Sequence, residues 1–238
     1  MPAADDPTAT TTGDAPVRRR DLAVARSLDS ARVRSEGRVQ RFLDAGFELL
    51  GSAESGKEFT VQEVVDRSGQ SLRSFYQYFA GKHELLLALF DEAIRSTADR
   101  LEDLVSKEGT PLEKIHCFVI EYYRSCLPAP RGRTSKSNPT PVMAEFSHEL
   151  LTAHQDEASR AFLPLVTLLE KILADAVEAG VVRSSLSRDD AAGAILSTIM
   201  FNAAYAPTIS GTEHGDATRA AEQMWEFVSG GILAGPKD

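Results

Sequence analysis

Between Thr60 and Lys82 the chain reads Thr-Val-Gln-Glu-Val-Val-Asp-Arg-Ser-Gly-Gln-Ser-Leu-Arg-Ser-Phe-Tyr-Gln-Tyr-Phe-Ala-Gly-Lys, and few folds accept such a run. Thr60 followed by Glu63 is a capping box, which starts a helix. Val61, Val64 and Val65 give that helix one apolar stripe, and Gly69 ends it. Ser71 can cap a further short helix, in which Phe75 and Phe79 are one turn apart and face inward. Two helices of about eight residues, joined by a tight turn containing glycine, make a helix-turn-helix. Helices this short bury too little to stand alone and need another helix behind them. Val39, Phe42, Leu43, Gly46, Phe47 and Leu50 follow helical spacing just upstream and supply it.

Helical punctuation continues to the end of the chain. A long fourth helix is expected from Lys82 to about Ser106, and another from Pro111 to about Cys126. Pro128 to Pro141 has the composition of a mobile loop. Further helices are expected near 142–155, 157–179, 188–206 and 216–233, with Gly180, Pro207 and Gly211–Gly215 separating the last three. The sequence contains no convincing alternating strand and no internal repeat. The expected class is all-α: an N-terminal three-helix helix-turn-helix domain followed by a C-terminal helical domain. The domain division is 1–30 as a disordered or basic extension, 31–82 as the helix-turn-helix domain and 83–238 as the helical domain. Residues 1–16 hold little to bury. Residues 17–37 are rich in arginine and partly helical, with Gly37 as a weak point.

The net charge of −9 is wrong for a general nucleic-acid coat, but its distribution is informative. Residues 17–42 carry eight arginines against three carboxylates, a balance of +5, whereas residues 91–238 carry 14 basic against 22 acidic side chains. A basic front on an acidic body fits contact with a polyanion at one end; the plainer alternative is a basic tail without a partner. Within the second short helix Arg73, Ser74, Gln77 and Tyr78 have no core duty. Arginine, serine and glutamine can read base edges in the major groove of double-stranded DNA. Tyr76 and Lys82 suit phosphate oxygens. So do the helix starts at Thr60 and Ser71, where free N–H groups and the dipole favour an anion. Each residue alone would pass for solvated surface; their shared placement makes them a candidate DNA-binding set.

These residues resemble a known family. Residues 38–90 are similar to the TetR (tetracycline-repressor-like) DNA-binding domain: Phe42-Leu-Asp-Ala-Gly-Phe-Glu-Leu-Leu50, then Thr60-Val61, the turn Gly69-Gln70-Ser71, and Tyr76-Gln-Tyr-Phe79 with Lys82 and Glu84-Leu85-Leu86 after it. Where the family often has Gly-Thr after the turn, this chain has Arg73-Ser74, so no operator sequence carries over. The resemblance implies a ligand-responsive repressor that binds palindromic operator DNA as a homodimer, with a C-terminal domain that takes a small effector and dimerises through its last two helices. On those helices Gly193 allows close approach, and Ile195, Ile199, Trp225 and Val228 offer apolar area for the dimer interface. Phe118, Tyr122, Met143, Phe146, Phe162, Phe201 and Tyr205 fall on separate helices and are expected to converge on a pocket for an apolar effector. The same residues would also serve as plain core. The fourth helix, running from Lys82 to Leu101 and Leu104, is the expected link between DNA and pocket.

Other chemistries fit poorly. Gly51-Ser-Ala-Glu-Ser-Gly-Lys57 begins like a phosphate-binding loop, but Glu58 stands where a magnesium-binding hydroxyl is needed and a helix precedes it. His148 and His154, six apart on one helix, would point about 120° apart and not share a metal. His116 beside Cys117 has no second pair of ligands. No nucleophile elbow is present. No catalytic residue, cofactor or metal is therefore expected, and the chain is not read as an enzyme. Cys117 and Cys126 would lie about 13 Å apart on one helix, too far for a disulfide, which fits a reducing compartment. No membrane partner is expected, since Ala191–Ala206 is short and interrupted by polar residues. The expected location is the bacterial cytoplasm, at the nucleoid when DNA is bound. The alternative reading is a helical small-molecule-binding protein with no direct role in transcription.

Overall fold

The computed structural model describes residues 19–52, 59–127, 141–185, 187–210 and 216–234. The expected N-terminal tail over 1–16, most of the Gly51–Gly56 loop, the loop from Pro128 to Thr140 and the Gly211–Gly215 break lie outside the described residues. Among the described residues the regular structure is nine helices, and an isolated bridge pairs Val182 with Leu233. This is the all-α class that the sequence predicts.

The chain divides into residues 1–41 and residues 42–238. In the first unit, helix α1 (Arg19–Ser52) begins earlier than the apolar pattern requires and passes through Gly37 without a break. The expected weak point does not end the helix. A mid-helix glycine costs only about 1 kcal/mol relative to alanine, and the Arg, Ala, Leu, Gln and Glu around it are good helix formers. Arg26, Arg32, Arg34, Arg38 and Arg41 are all exposed. Arg32 Nε donates to Glu36 Oε1 one turn on, at 2.7 Å.

In the second unit the end of α1 buries Phe42, Leu43, Ala45 and Leu50. Helices α2 (Val61–Ser68) and α3 (Leu72–Tyr78) follow, then α4 (Lys82–Val105), α5 (Pro111–Cys126), α6 (Pro141–Ala153), α7 (Gln155–Glu178), α8 (Arg188–Ser210) and α9 (Ala217–Ile232). α4 packs on α5, α6 and α7, and α5 also packs on α7, α8 and α9. Leu101, Ile115, Phe118, Leu165, Leu169, Leu173 and Ile199 from four helices are completely or almost completely buried in one core. After α7 the chain turns at Gly180, whose φ of 72° is the left-handed conformation that glycine adopts without strain. The turn is stitched to the end of α9: Arg183 N–H donates to Ile232 O at 3.0 Å and Ala234 N–H to Val181 O at 2.9 Å.

α8 does not stop at Pro207 as expected but continues to Ser210. Proline's fixed φ is already helical, so a helix can pass through it at the cost of one amide bond and local crowding. α7 does the same at Pro164.

Candidate nucleic-acid interface

The helix-turn-helix is assembled by its caps. Thr60 Oγ1 accepts from Glu63 N–H at 3.2 Å, and the Glu63 carboxylate accepts in return from the Thr60 N–H at 2.7 Å and hydroxyl at 2.9 Å. Gly69, at φ 65°, closes α2 in the left-handed region. Ser71 Oγ accepts from Ser74 N–H at 3.1 Å and opens α3. Arg67 Nη1 donates to Glu48 Oε2 at 3.2 Å, joining the last turn of α2 to α1. Gly81 offers no side chain at the start of α4, and Glu84 supplies the cap by accepting from Ala80 N–H.

Behind these caps Phe42, Phe75 and Phe79 form a three-ring core, with centroids 5.5, 6.1 and 5.4 Å apart for the three pairs. Val64 and Val65 are buried beside it in the same small domain. A Cβ on Gly46 would lie 2.8 Å from Leu89 Cδ1, so glycine is what lets α1 approach α4 this closely.

With Phe75 and Phe79 facing inward, α3 shows solvent one continuous face: Leu72, Arg73, Tyr76 and Gln77. At about 100° per residue these four span an arc of roughly 140°. Three of them are the candidates read from the sequence. Leu72, 43% exposed, was missed because an apolar residue three positions before Phe75 resembles core. Its exposure is the signal that distinguishes it, and an aliphatic side chain there can meet a thymine methyl.

One expected contact needs correcting. Ser74 Oγ is shielded from solvent and has no hydrogen-bond partner among the described residues, so it is not presented to a groove. Tyr78 is half-buried on the same flank. The Thr60 N–H is given to the Glu63 carboxylate. Lys82 is half-buried, with Nζ 5.3 Å from the centroid of the Phe59 ring.

The aromatic residues expected to line one effector pocket separate into three groups. Phe118 and Tyr122 stack along α5 at 5.8 Å, both buried. Phe146 and the half-buried Phe162 meet through Phe90 of α4, at 6.3 and 5.5 Å, and Met143 is buried on the α6 face that carries Phe146. Phe201 and Tyr205 do not join them: they stack on each other at 5.7 Å, 45% and 39% exposed on the outer face of α8. Ile195 and Ile199, expected at a dimer interface, instead lie in the chain's own core, as does Val228. Gly193 is exposed, and Trp225 is half-buried against His116 at 5.0 Å. Burial raises the Tyr122 phenol well above its ordinary value and pushes the neighbouring Cys126 thiol up to about 12, so both stay neutral hydrogen-bonding groups inside an apolar region. Both cysteines are free thiols on α5.

Residues 42–89, from the buried Phe42 to Leu89 of α4, match the family "Bacterial regulatory proteins, tetR family". Over this stretch the chain is similar to the tetR family.

The "Fatty acid metabolism regulator protein" of Bacillus subtilis (strain 168) is 24% identical to this chain over 150 residues, which cover 63% of this chain and 73% of the relative. The fold is shared with the fatty acid degradation regulator FadR from Bacillus halodurans (TM-score 0.59, 16% identity, 82% of this chain and 95% of that one). It is shared equally with the reduced form of E. coli NemR (TM-score 0.60, 16% identity, 85% and 100%). A third structure is the regulator FadR from Bacillus subtilis in complex with stearoyl-CoA (TM-score 0.57, 16% identity, 81% and 98%). Members of the family are regulators of transcription, and the helix-turn-helix described above is the part this chain shares with them most directly. No helix among the described residues is long and apolar enough to cross a membrane.

Proposed function

We propose that this chain is a tetR-type homodimeric repressor that reads a palindromic operator in double-stranded DNA and releases it when a small apolar effector binds the C-terminal domain. The observation that carries the reading is the exposed face of α3. Leu72, Arg73, Tyr76 and Gln77 have no packing role, yet they are held in place by caps at both ends of α2, the cap of α3 and the three-phenylalanine core. Arg73 and Gln77 suit base edges, and Tyr76 and Lys82 suit phosphates. The exposed arginines of α1 suit phosphates or a minor groove. In this reading residues 31–82 bind DNA, residues 83–238 hold the effector and the dimer contact, and residues 1–30 extend from the DNA-binding part.

One recognition helix reads only a few base pairs, so two are needed, about 34 Å apart on the DNA. The surface best suited to a second chain is the outer face of α8, with Gly193, Phe201, Tyr205 and Ile209, together with Phe227 of α9, which is 69% exposed. The effector class we favour is a fatty acyl thioester. It is supported by the stearoyl-CoA complex of a regulator with the same fold and by the buried apolar surroundings of Phe118, Tyr122, Met143, Phe146 and Phe162. α4 starts at Lys82 behind α3 and buries Leu101 in the C-terminal core, so an effector that favours a tilted α4 would move both recognition helices. Its effect on DNA affinity is bounded by its own preference between the two states, typically about 1–3 kcal/mol. As a repressor of this kind it would act in the cytoplasm, at the nucleoid.

Selection of bound sequences from random DNA, followed by titration with long-chain acyl-CoA, tests the reading. The expected result is a palindrome whose complex dissociates as acyl-CoA is added. Enrichment of no sequence would overturn the operator and favour a ligand-binding protein without a direct role in transcription. A palindrome indifferent to acyl-CoA would overturn the effector class alone.

A further inference from the structure

We infer that His83, His154 and Glu157 form a binding site for a divalent transition-metal ion such as Zn²⁺, holding the start of α4 to the start of α7. The three residues come from two elements far apart in sequence: His83 is the second residue of α4, His154 is the N-cap of α7, and Glu157 lies in the first turn of α7. One ligand atom from each lies within 4.8 Å of the other two. Both imidazoles are directed at the same carboxylate oxygen. His83 Nε2 is 3.1 Å from Glu157 Oε2, and His154 Nδ1 is 3.8 Å from it. The rings themselves are 4.9 Å apart. A four-coordinate ion with bonds of about 2.0–2.1 Å keeps its donor atoms about 3.4 Å apart, so small side-chain rotations bring all three to bonding distance.

The surroundings are arranged as a metal site requires. Glu149 Oε1 lies 4.0 Å from His154 Nε2, the ring nitrogen facing away from Glu157. At that distance the pair is not hydrogen-bonded; a small rotation that closed it would hold the tautomer that leaves Nδ1 free to bind a metal. His83 and Glu157 also line an open cleft of about 480 Å³ with Glu84, Leu87, Asp91 and Arg160, so a fourth position is accessible to water or to a further ligand. Arg160 Nε is engaged by Asp156 O at 3.1 Å along its own helix. Two imidazoles and one carboxylate suit Zn²⁺, Ni²⁺ or Cu²⁺ and not Mg²⁺ or Ca²⁺, which prefer oxygen alone. The inference rests on this ligand chemistry and is independent of how the chain reads DNA.

The test is titration of the full-length, chelator-treated protein with Co²⁺ and displacement by Zn²⁺. The expected result is one ion per chain, with the visible bands of a low-coordinate Co²⁺ centre, and a Zn²⁺-dependent rise in Tm. His83→Gln, His154→Gln and Glu157→Gln should each abolish the bands and the Tm rise. Glu149→Gln should weaken binding about 10–100-fold. His116→Gln, His148→Gln and the Cys117→Ser/Cys126→Ser pair should bind as the parent does. Circular dichroism without metal verifies that each variant is folded, and His154→Gln serves if a substitution on α4 prevents folding. Failure of the parent to bind Co²⁺ or Zn²⁺ at micromolar concentration overturns the site. So does retention of binding in folded His83→Gln or His154→Gln.

Discussion

α3 and α8 both carry proposed functional residues on one side, yet only the first shows in its sequence which side that is. α3 alternates sharply: Phe75 is fully buried, while Arg73 and Gln77 are exposed. Moving a charged side chain inward would be so costly that the orientation has a single solution. After Asp190, α8 carries no charged residue, and its apolar residues are spread around the helix. Either face would pack well, and the apolar pattern gives no preference. The sequence reading turned Ile195 and Ile199 outward and Phe201 and Tyr205 inward; the folded chain has the reverse. Amphipathic contrast, and not hydrophobicity itself, orients a helix.

The sharpest way to break this comparison is to place one charge on each face of α8. Ile199→Asp would put an unpaired carboxylate at a fully buried position and should cost about 4–5 kcal/mol, enough to unfold the C-terminal core. Phe201→Asp, on the exposed face, should leave the stability of a single chain within about 0.5 kcal/mol but weaken self-association. Urea denaturation and sedimentation separate the two. A stable monomeric Ile199→Asp protein would mean that the faces of α8 are assigned wrongly.

The orientation of α3 is tested on DNA. Arg73→Ala should cost about 1–3 kcal/mol of operator affinity and relax specificity at one base pair. Ser74→Ala should leave affinity unchanged, because the hydroxyl it removes is already shielded and unpartnered. Fluorescence anisotropy with the selected operator measures both. A large loss in Ser74→Ala would place that side chain in the groove after all.

Two glycine substitutions give smaller effects. No heavy atom lies within 4 Å of where a Cβ on Gly193 would stand. Within one chain Gly193→Ala should therefore stabilise α8 by about 0.8–1 kcal/mol. If a second chain packs closely on that face, the sign reverses in the dimer. Thermal unfolding over a range of protein concentrations reads the sign in each state. Gly37→Ala, equally open on α1, should raise stability or helicity by about 0.5–1 kcal/mol with no dependence on concentration. Circular dichroism that shows lost helicity in Gly37→Ala would reveal a constraint at that glycine.

Much was legible wherever a local rule decides the outcome. The capping box at Thr60, the left-handed Gly69, the Ser71 cap and the inward Phe75 and Phe79 depend on residues within one or two turns of each other, and local spacing places them. Local rules were less dependable at Gly37 and Pro207, where a breaker residue proved weaker than the helix around it. Ser74 also went astray, since a hydroxyl read as surface is enclosed by its neighbours.

By itself the sequence determined the helical class, the helix-turn-helix and most of the exposed face of α3, because each follows from spacing along a single helix. Only the tertiary structure decided which side of α8 is core, because that depends on what α5 and α7 place against it. The same holds for His83 and Glu157, which stand 74 positions apart and meet at 3.1 Å. The sequence argument against a metal at His154 considered partners on one helix only. α4 delivers the second imidazole from a distance that no periodicity encodes.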